Sequence, residues 1–78
     1  MKKDVRKLVL NILSEQFDID KERLSDDINI RSDLGADSLA IVDLMMTCED
    51  EFEIKFSDTD IPQVLTIGAL VDYIEQRI

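Results

Sequence analysis

Histidine is absent from the chain, which removes a serine–histidine triad from the available chemistries. No lysine is placed to replace it as a general base for a serine. Cys48 is the single cysteine, so no internal disulfide can form, and one thiol without an imidazole does not make a zinc site. The only glycines are Gly35 and Gly68, too sparse for a glycine-rich phosphate loop. No apolar run approaches the ~18 residues that a membrane span requires. Asp4 and Arg6 break up whatever follows Lys2 and Lys3, so no signal peptide is expected.

With neither disulfide nor metal as a staple, 78 residues must hold one small core together by helix packing alone. Residues 1–78 are therefore expected to form a single domain, and a reducing cytoplasm suits the free thiol. Apolar residues make up 45% of the chain, enough for a folded core rather than general disorder.

Basic residues are scarce in one half only. Residues 1–31 carry seven bases and seven acids, whereas residues 32–76 carry eleven acids against Lys55 alone. A field of that sign repels nucleic acid and anionic membrane and attracts basic protein surfaces. Acid pairs such as Asp26/Asp27 and Asp58/Asp60 have the chemistry for acid–base work. Short helices around a minimal core leave little room for the substrate cleft that hydrolysis needs, so no enzyme is expected. Nor do the acids form a calcium loop, because Asp27-Ile28-Asn29-Ile30 runs on into Arg31 without the required glycine.

Val5, Leu8, Val9, Ile12, Leu13 and Phe17 follow the spacing of one apolar helical stripe, predicting a helix over about residues 4–16 with Asp4 as its cap. Residues 18–36 have no sustained period. Leu24, Ile28, Ile30 and Leu34 are isolated apolar pegs that can pin this long connection across the helix ends. Gly35 and Asp37 then open a second helix, over about residues 38–51, with Asp37 as N-cap.

At ~100° per residue that helix sorts into two apolar stripes. Ile41, Leu44, Met45, Cys48 and Phe52 form a core face. Leu39, Val42 and Met46 form another, interleaved with Asp43, Glu49, Asp50 and Glu53. This second stripe either packs beneath the long connection or stays exposed as a docking surface, apolar for affinity and acidic for steering.

Ser57-Asp58-Thr59-Asp60 is close to a capping box for a brief third helix, which Pro62 limits to a turn or two. Ile61 and Val64 can point inward from it. Thr66 caps a last helix, with Leu65 and Leu70 placed as a hydrophobic staple. Ile67, Leu70, Val71, Ile74 and Ile78 are its expected apolar face.

Ser38 falls between the two stripes at the start of the second helix. By position alone it is part of the cap, or else a hydroxyl offered for modification. A phosphate ester there would meet free amide groups and the positive end of the helix dipole.

Leu34-Gly35-Ala36-Asp37-Ser38-Leu39 resembles the attachment motif of acyl carrier proteins, the small helical carriers of type II fatty acid synthesis. The resemblance runs without an evident gap from about residue 9 to the closing Val71-Asp72-Tyr73-Ile74. It implies an all-α fold, a small four-helix bundle of three longer helices and one short one, with a long loop between the first two. It implies that Ser38, next to Asp37, receives 4′-phosphopantetheine from coenzyme A through a separate phosphopantetheinyl transferase, the holo-carrier synthase. Acyl chains then ride on the arm as thioesters between enzymes of fatty acid biosynthesis.

By the same resemblance, Ile41, Leu44, Met45, Cys48, Phe52, Phe56, Ile61, Val64 and Leu70 line a shelter for the acyl chain. Asp37, Leu39, Val42, Asp43, Met46, Glu49 and Asp50 dock partners. These are the transferase, ketosynthases, reductases, dehydratases and acyltransferases with basic patches, met by a cytoplasmic monomer without nucleic acid or membrane span. Three residues depart from the family's pattern. Ala40 stands where an acid is common, Pro62 is unusual in the third helix, and Cys48 replaces a more typical aliphatic residue, as a buried and inert thiol. They leave room for a carrier dedicated to polyketide, lipopeptide or other specialised assembly. A reading from another class is an acidic helical adaptor that binds a basic partner and is never modified.

Overall fold

The computed structural model describes residues 4–57 and 59–78. The expectations for Lys2, Lys3 and Asp58 lie outside the described residues. Three α-helices form the framework: α1 (Val5–Phe17), α2 (Ser38–Phe52) and α3 (Ile67–Glu75). Two short 3-10 turns join them, at Lys21–Arg23 and Ile61–Val64.

Each α-helix starts where local chemistry allows it. The N–H groups of the first turn lack intrahelical acceptors, and a short polar side chain supplies one in every case. Asp4 Oδ1 accepts from Lys7 N–H (3.1 Å), Asp37 Oδ1 from Ala40 N–H (2.9 Å) and Thr66 Oγ1 from Ala69 N–H (3.2 Å). The helix ends follow a different rule. Asp18 and Glu53 terminate α1 and α2 in the left-handed conformation, at φ 55 in both cases, although neither is glycine.

The core collects one stripe from each helix. Val5, Val9 and Leu13 of α1, five residues of α2 and Ile67, Leu70, Val71 and Ile74 of α3 are buried together. Truncating such a side chain, Leu13→Ala for example, removes ~2–5 kcal/mol of stability. Ile78 does not belong to this face: α3 stops at Glu75, and Ile78 lies beyond it, exposed.

The expected short third helix is a single 3-10 turn. The Asp60 carboxylate does reach back to Ser57, through its side chain and its backbone N–H, and also accepts from the Tyr73 hydroxyl at 2.8 Å, while Ser57 Oγ hydrogen-bonds Thr59 Oγ1 at 3.0 Å. Pro62 sits in the first positions of that turn, where its fixed φ is tolerated and a longer helix is not required.

The long connection is tied to the start of α3. Ile30 N–H donates to Leu65 C=O (2.7 Å), Ile67 N–H to Ile28 C=O (3.1 Å) and Gly68 N–H to Asp26 C=O (3.1 Å). Gly68 allows this close approach: an added Cβ would lie 3.1 Å from Asp26 Cβ, so Asp26 would have to give by a few tenths of an ångström. Leu24 and Ile30 are buried and Ile28 and Leu34 half-buried, as pegs should be. Arg6 also pairs with Asp26 across the surface. This bracing fixes where the connection ends, and so where Ser38 begins α2.

Candidate functional site

The turn before Ser38 is built on Asn29 and Asp33. Asn29 Oδ1 accepts from the N–H groups of Arg31 and Ser32, both at 2.9 Å, while Asn29 N–H donates to Asp33 Oδ2 at 2.8 Å. Asp33 N–H returns to Asn29 C=O at 2.8 Å. Gly35 then reverses the chain at φ +69, a backbone that a side chain would strain. Ala36 is buried, Asp37 caps, and Ser38 is the first helical residue.

Ser38 is exposed, and its hydroxyl makes no hydrogen bond among the described residues, because Asp37 already does the capping. The N–H groups of Ser38 and Leu39 likewise have no acceptor among the described residues. A hydroxyl with water access beside free amides at a positive helix end suits a serine that is to carry a phosphate.

Ser38 also stands on the rim of a groove of about 170 Å³ lined by Arg31, Ile41, Val42, Ile61, Pro62 and Leu65. Two of the residues expected to shelter an acyl chain, Ile41 and Ile61, are therefore at its mouth. Leu44, Met45, Cys48, Phe52, Val64 and Leu70 belong to the buried core, with Phe56 packed half-buried against it. Burial pushes the Cys48 thiol up to about 12, so it is not the working thiol of any chemistry near pH 7.

Sequence reasoning gave Arg31 no place in the site, took Pro62 for a helix stop and Leu65 for a staple. A signal for Arg31 was present: it is the last base before the stretch in which Lys55 stands alone.

The second stripe of α2 is exposed. Leu39, Val42 and Met46 are 79%, 48% and 57% accessible, with Asp43 and Asp50 exposed among them. They do not pack under the long connection, which is bonded to the start of α3 instead. Glu49, expected on the same face, is half-buried, and its Oε2 accepts from Phe56 N–H at 2.8 Å. The face also extends onto α1, which periodicity within α2 could not reveal. Gln16 and Phe17 join Leu39, Ala40, Val42, Asp43 and Met46 around an open groove of about 640 Å³. No helix among the described residues is long and apolar enough to cross a membrane.

Residues 7–74 match the family described as "Phosphopantetheine attachment site". The chain is 40% identical over 70 residues to an acyl carrier protein of Thermotoga maritima, covering 90% of this chain and 86% of that protein. It is 36% identical over 69 residues to one of Lactobacillus johnsonii, covering 88% and 86%. Among solved structures, it is similar to an acyl carrier protein from Enterococcus faecalis noted for high thermal stability. The TM-score is 0.87 at 39% identity, over 96% of this chain and 95% of that one.

Proposed function

The chain belongs to the acyl carrier family with its phosphopantetheine attachment site, and from that premise we propose that Ser38 is the residue that receives the arm. It is a non-catalytic carrier of acyl groups in fatty acid biosynthesis. The observation that carries the assignment to Ser38 is its hydroxyl, exposed and unbonded among the described residues at the first position of α2.

Attachment forms one bond and breaks one. Ser38 Oγ bonds to the phosphorus of coenzyme A that bears the pantetheine, the pyrophosphate P–O bond breaks, and the nucleotide half leaves. The hydroxyl proton passes to a general base in the complex with the transferase. Once bound, the arm supplies a terminal thiol that holds acyl groups as thioesters.

The residues of the chain do the rest. Asp37 fixes the start of α2, and Gly35 sets the angle at which Ser38 is presented. Ile41 and Ile61 line the groove beside Ser38, and Leu44, Met45, Cys48, Phe52, Phe56, Val64 and Leu70 form the apolar interior behind it. An acyl chain sheltered there would be kept from water by displacing these contacts. Asp37, Leu39, Val42, Asp43, Met46 and Asp50, joined by Gln16 and Phe17, offer apolar contact inside an acidic frame. Such a face suits basic patches on the transferase, ketosynthases, reductases, dehydratases and acyltransferases. Residues 1–78 would serve them as one carrier domain, a monomer in the cytoplasm.

Intact mass tests the assignment. Apo protein incubated with coenzyme A, magnesium and a phosphopantetheinyl transferase should gain one phosphopantetheine, and Ser38→Ala should gain none. An unchanged mass for the unaltered chain would instead favour an adaptor that is never modified.

A further inference from the structure

We propose that Arg31 is a phosphate-binding residue, whose guanidinium pairs with the phosphodiester joining the arm to Ser38. The inference rests on the reading of Ser38 as the attachment residue and adds to it the side chain that meets the new charge.

Loading places a permanent negative charge on an already negative surface. Asp37 precedes Ser38, Asp43 is exposed on the same helix, and residues 32–76 hold eleven acids against one base. The free N–H groups of Ser38 and Leu39 offset part of this repulsion, as a helix start does for any anion. A full positive charge offsets more, and Arg31 is the basic residue lining the groove on whose rim Ser38 stands.

Three features fit Arg31 to that task. Its main chain is held, since its N–H donates to Asn29 Oδ1 within the braced turn. Its side chain is uncommitted, being exposed and without a hydrogen bond or ion pair among the described residues. The remaining lining, Ile41, Val42, Ile61, Pro62 and Leu65, is apolar and carries no acid to compete for the guanidinium. A planar guanidinium also matches two phosphate oxygens at once, where a lysine would act as a point charge.

The test compares apo and loaded forms of the unaltered chain, Arg31→Ala, Arg31→Lys and, as a control base outside the groove, Lys55→Ala. Loading is verified by intact mass. At low salt, loading should depress Tm more in Arg31→Ala than in the unaltered chain, by about 1–5 °C as for an exposed ion pair in a domain of this size. Arg31→Lys should lie between the two, and the gap should close in ~0.5 M salt. The phosphodiester 31P resonance should shift in Arg31→Ala and stay in place in Lys55→Ala. Equal loading effects on Tm with an unmoved 31P resonance would overturn the role of Arg31 and leave Ser38 standing. Failure of the unaltered chain to load would overturn both. An Arg31→Ala protein that folds but resists excess transferase would place Arg31 in transferase recognition and overturn the inference.

Discussion

The side-chain amide of Gln16 donates to the main-chain carbonyl of Ala40 at 2.8 Å, tying the last turn of α1 to the first turn of α2. The bond spans a long sequence separation and is partly buried, so it fastens the turn that presents Ser38. Gln16→Ala should cost about 1 kcal/mol, lowering Tm by about 4–8 °C. Amide exchange in the first turn of α2 should quicken with it. A melting curve that superimposes on that of the unaltered chain would show the bond to be dispensable.

Glu53 ends α2 at φ 55, where a side chain is strained, and places a carboxylate at the negative end of the helix. Glu53→Gly removes both disadvantages. It should gain ~0.5–1 kcal/mol in stability, read as a Tm a few degrees higher. A lower Tm would mean that the Glu53 carboxylate does more for the fold than end the helix.

Tyr73 joins the 3-10 turn to α3 through Asp60, with its ring stacked on Phe56 at 4.8 Å and Arg77 over it at 3.5 Å. The Tyr73 hydroxyl, and after it Ser57, hold the Asp60 carboxyl below the usual carboxylate range. A folded pKa that is lowered stabilises the fold above the unfolded value of about 3.9, and that contribution is lost as pH falls through the lowered value. Tyr73→Phe keeps the ring and removes the largest cause. Its Tm should fall short of the unaltered chain's by a constant amount from pH 6 to 8, and the gap should shrink in acid. An undiminished gap at pH 2.5 would show that the ionised state of Asp60 contributes nothing.

Features set within a few residues were legible in the sequence. Asp4, Asp37 and Thr66 cap as their chemistry suggests, and the two stripes of α2 face the core and water as their spacing requires. Features set by distant partners were not. Tyr73 adds to Asp60 a bond from α3 that the Ser57–Asp60 spacing does not announce, and the left-handed ends at Asp18 and Glu53 carry no glycine to announce them. Glu49 looked like one more surface acid until the chain folded Phe56 back onto it. The groove that brings Arg31 to Ser38 depends on Ile61, Pro62 and Leu65 arriving from beyond α2.

Cys48 is fully buried with its pKa pushed up to about 12, first by burial and then by Glu49 and Glu51. At pH 8 only about one part in ten thousand of such a thiol is the reactive thiolate. A thiol reagent should leave native apo protein untouched over minutes, label one thiol after loading, and label Cys48 only in denaturant. Rapid labelling of native apo protein would mean that the core around Cys48 opens readily.

Asp43 and Glu49 look equivalent along α2, yet the structure gives them different work. Asp43 lines the open groove beside Leu39 and Met46, whereas Glu49 holds Phe56 N–H. Asp43→Lys should therefore leave Tm nearly unchanged, within ~0.5 kcal/mol in stability, while lowering kcat/KM with the transferase about tenfold. The salt dependence of that reaction should weaken with it, because steering by the acidic face is what salt screens. Glu49→Ala should do the reverse, lowering Tm first because a partly buried N–H loses its acceptor. If both variants melted alike and reacted alike, stripe membership alone would decide behaviour and the division between docking and bracing would fail. A tenfold loss confined to Asp43→Lys would place the partner on the face where α1 and α2 meet.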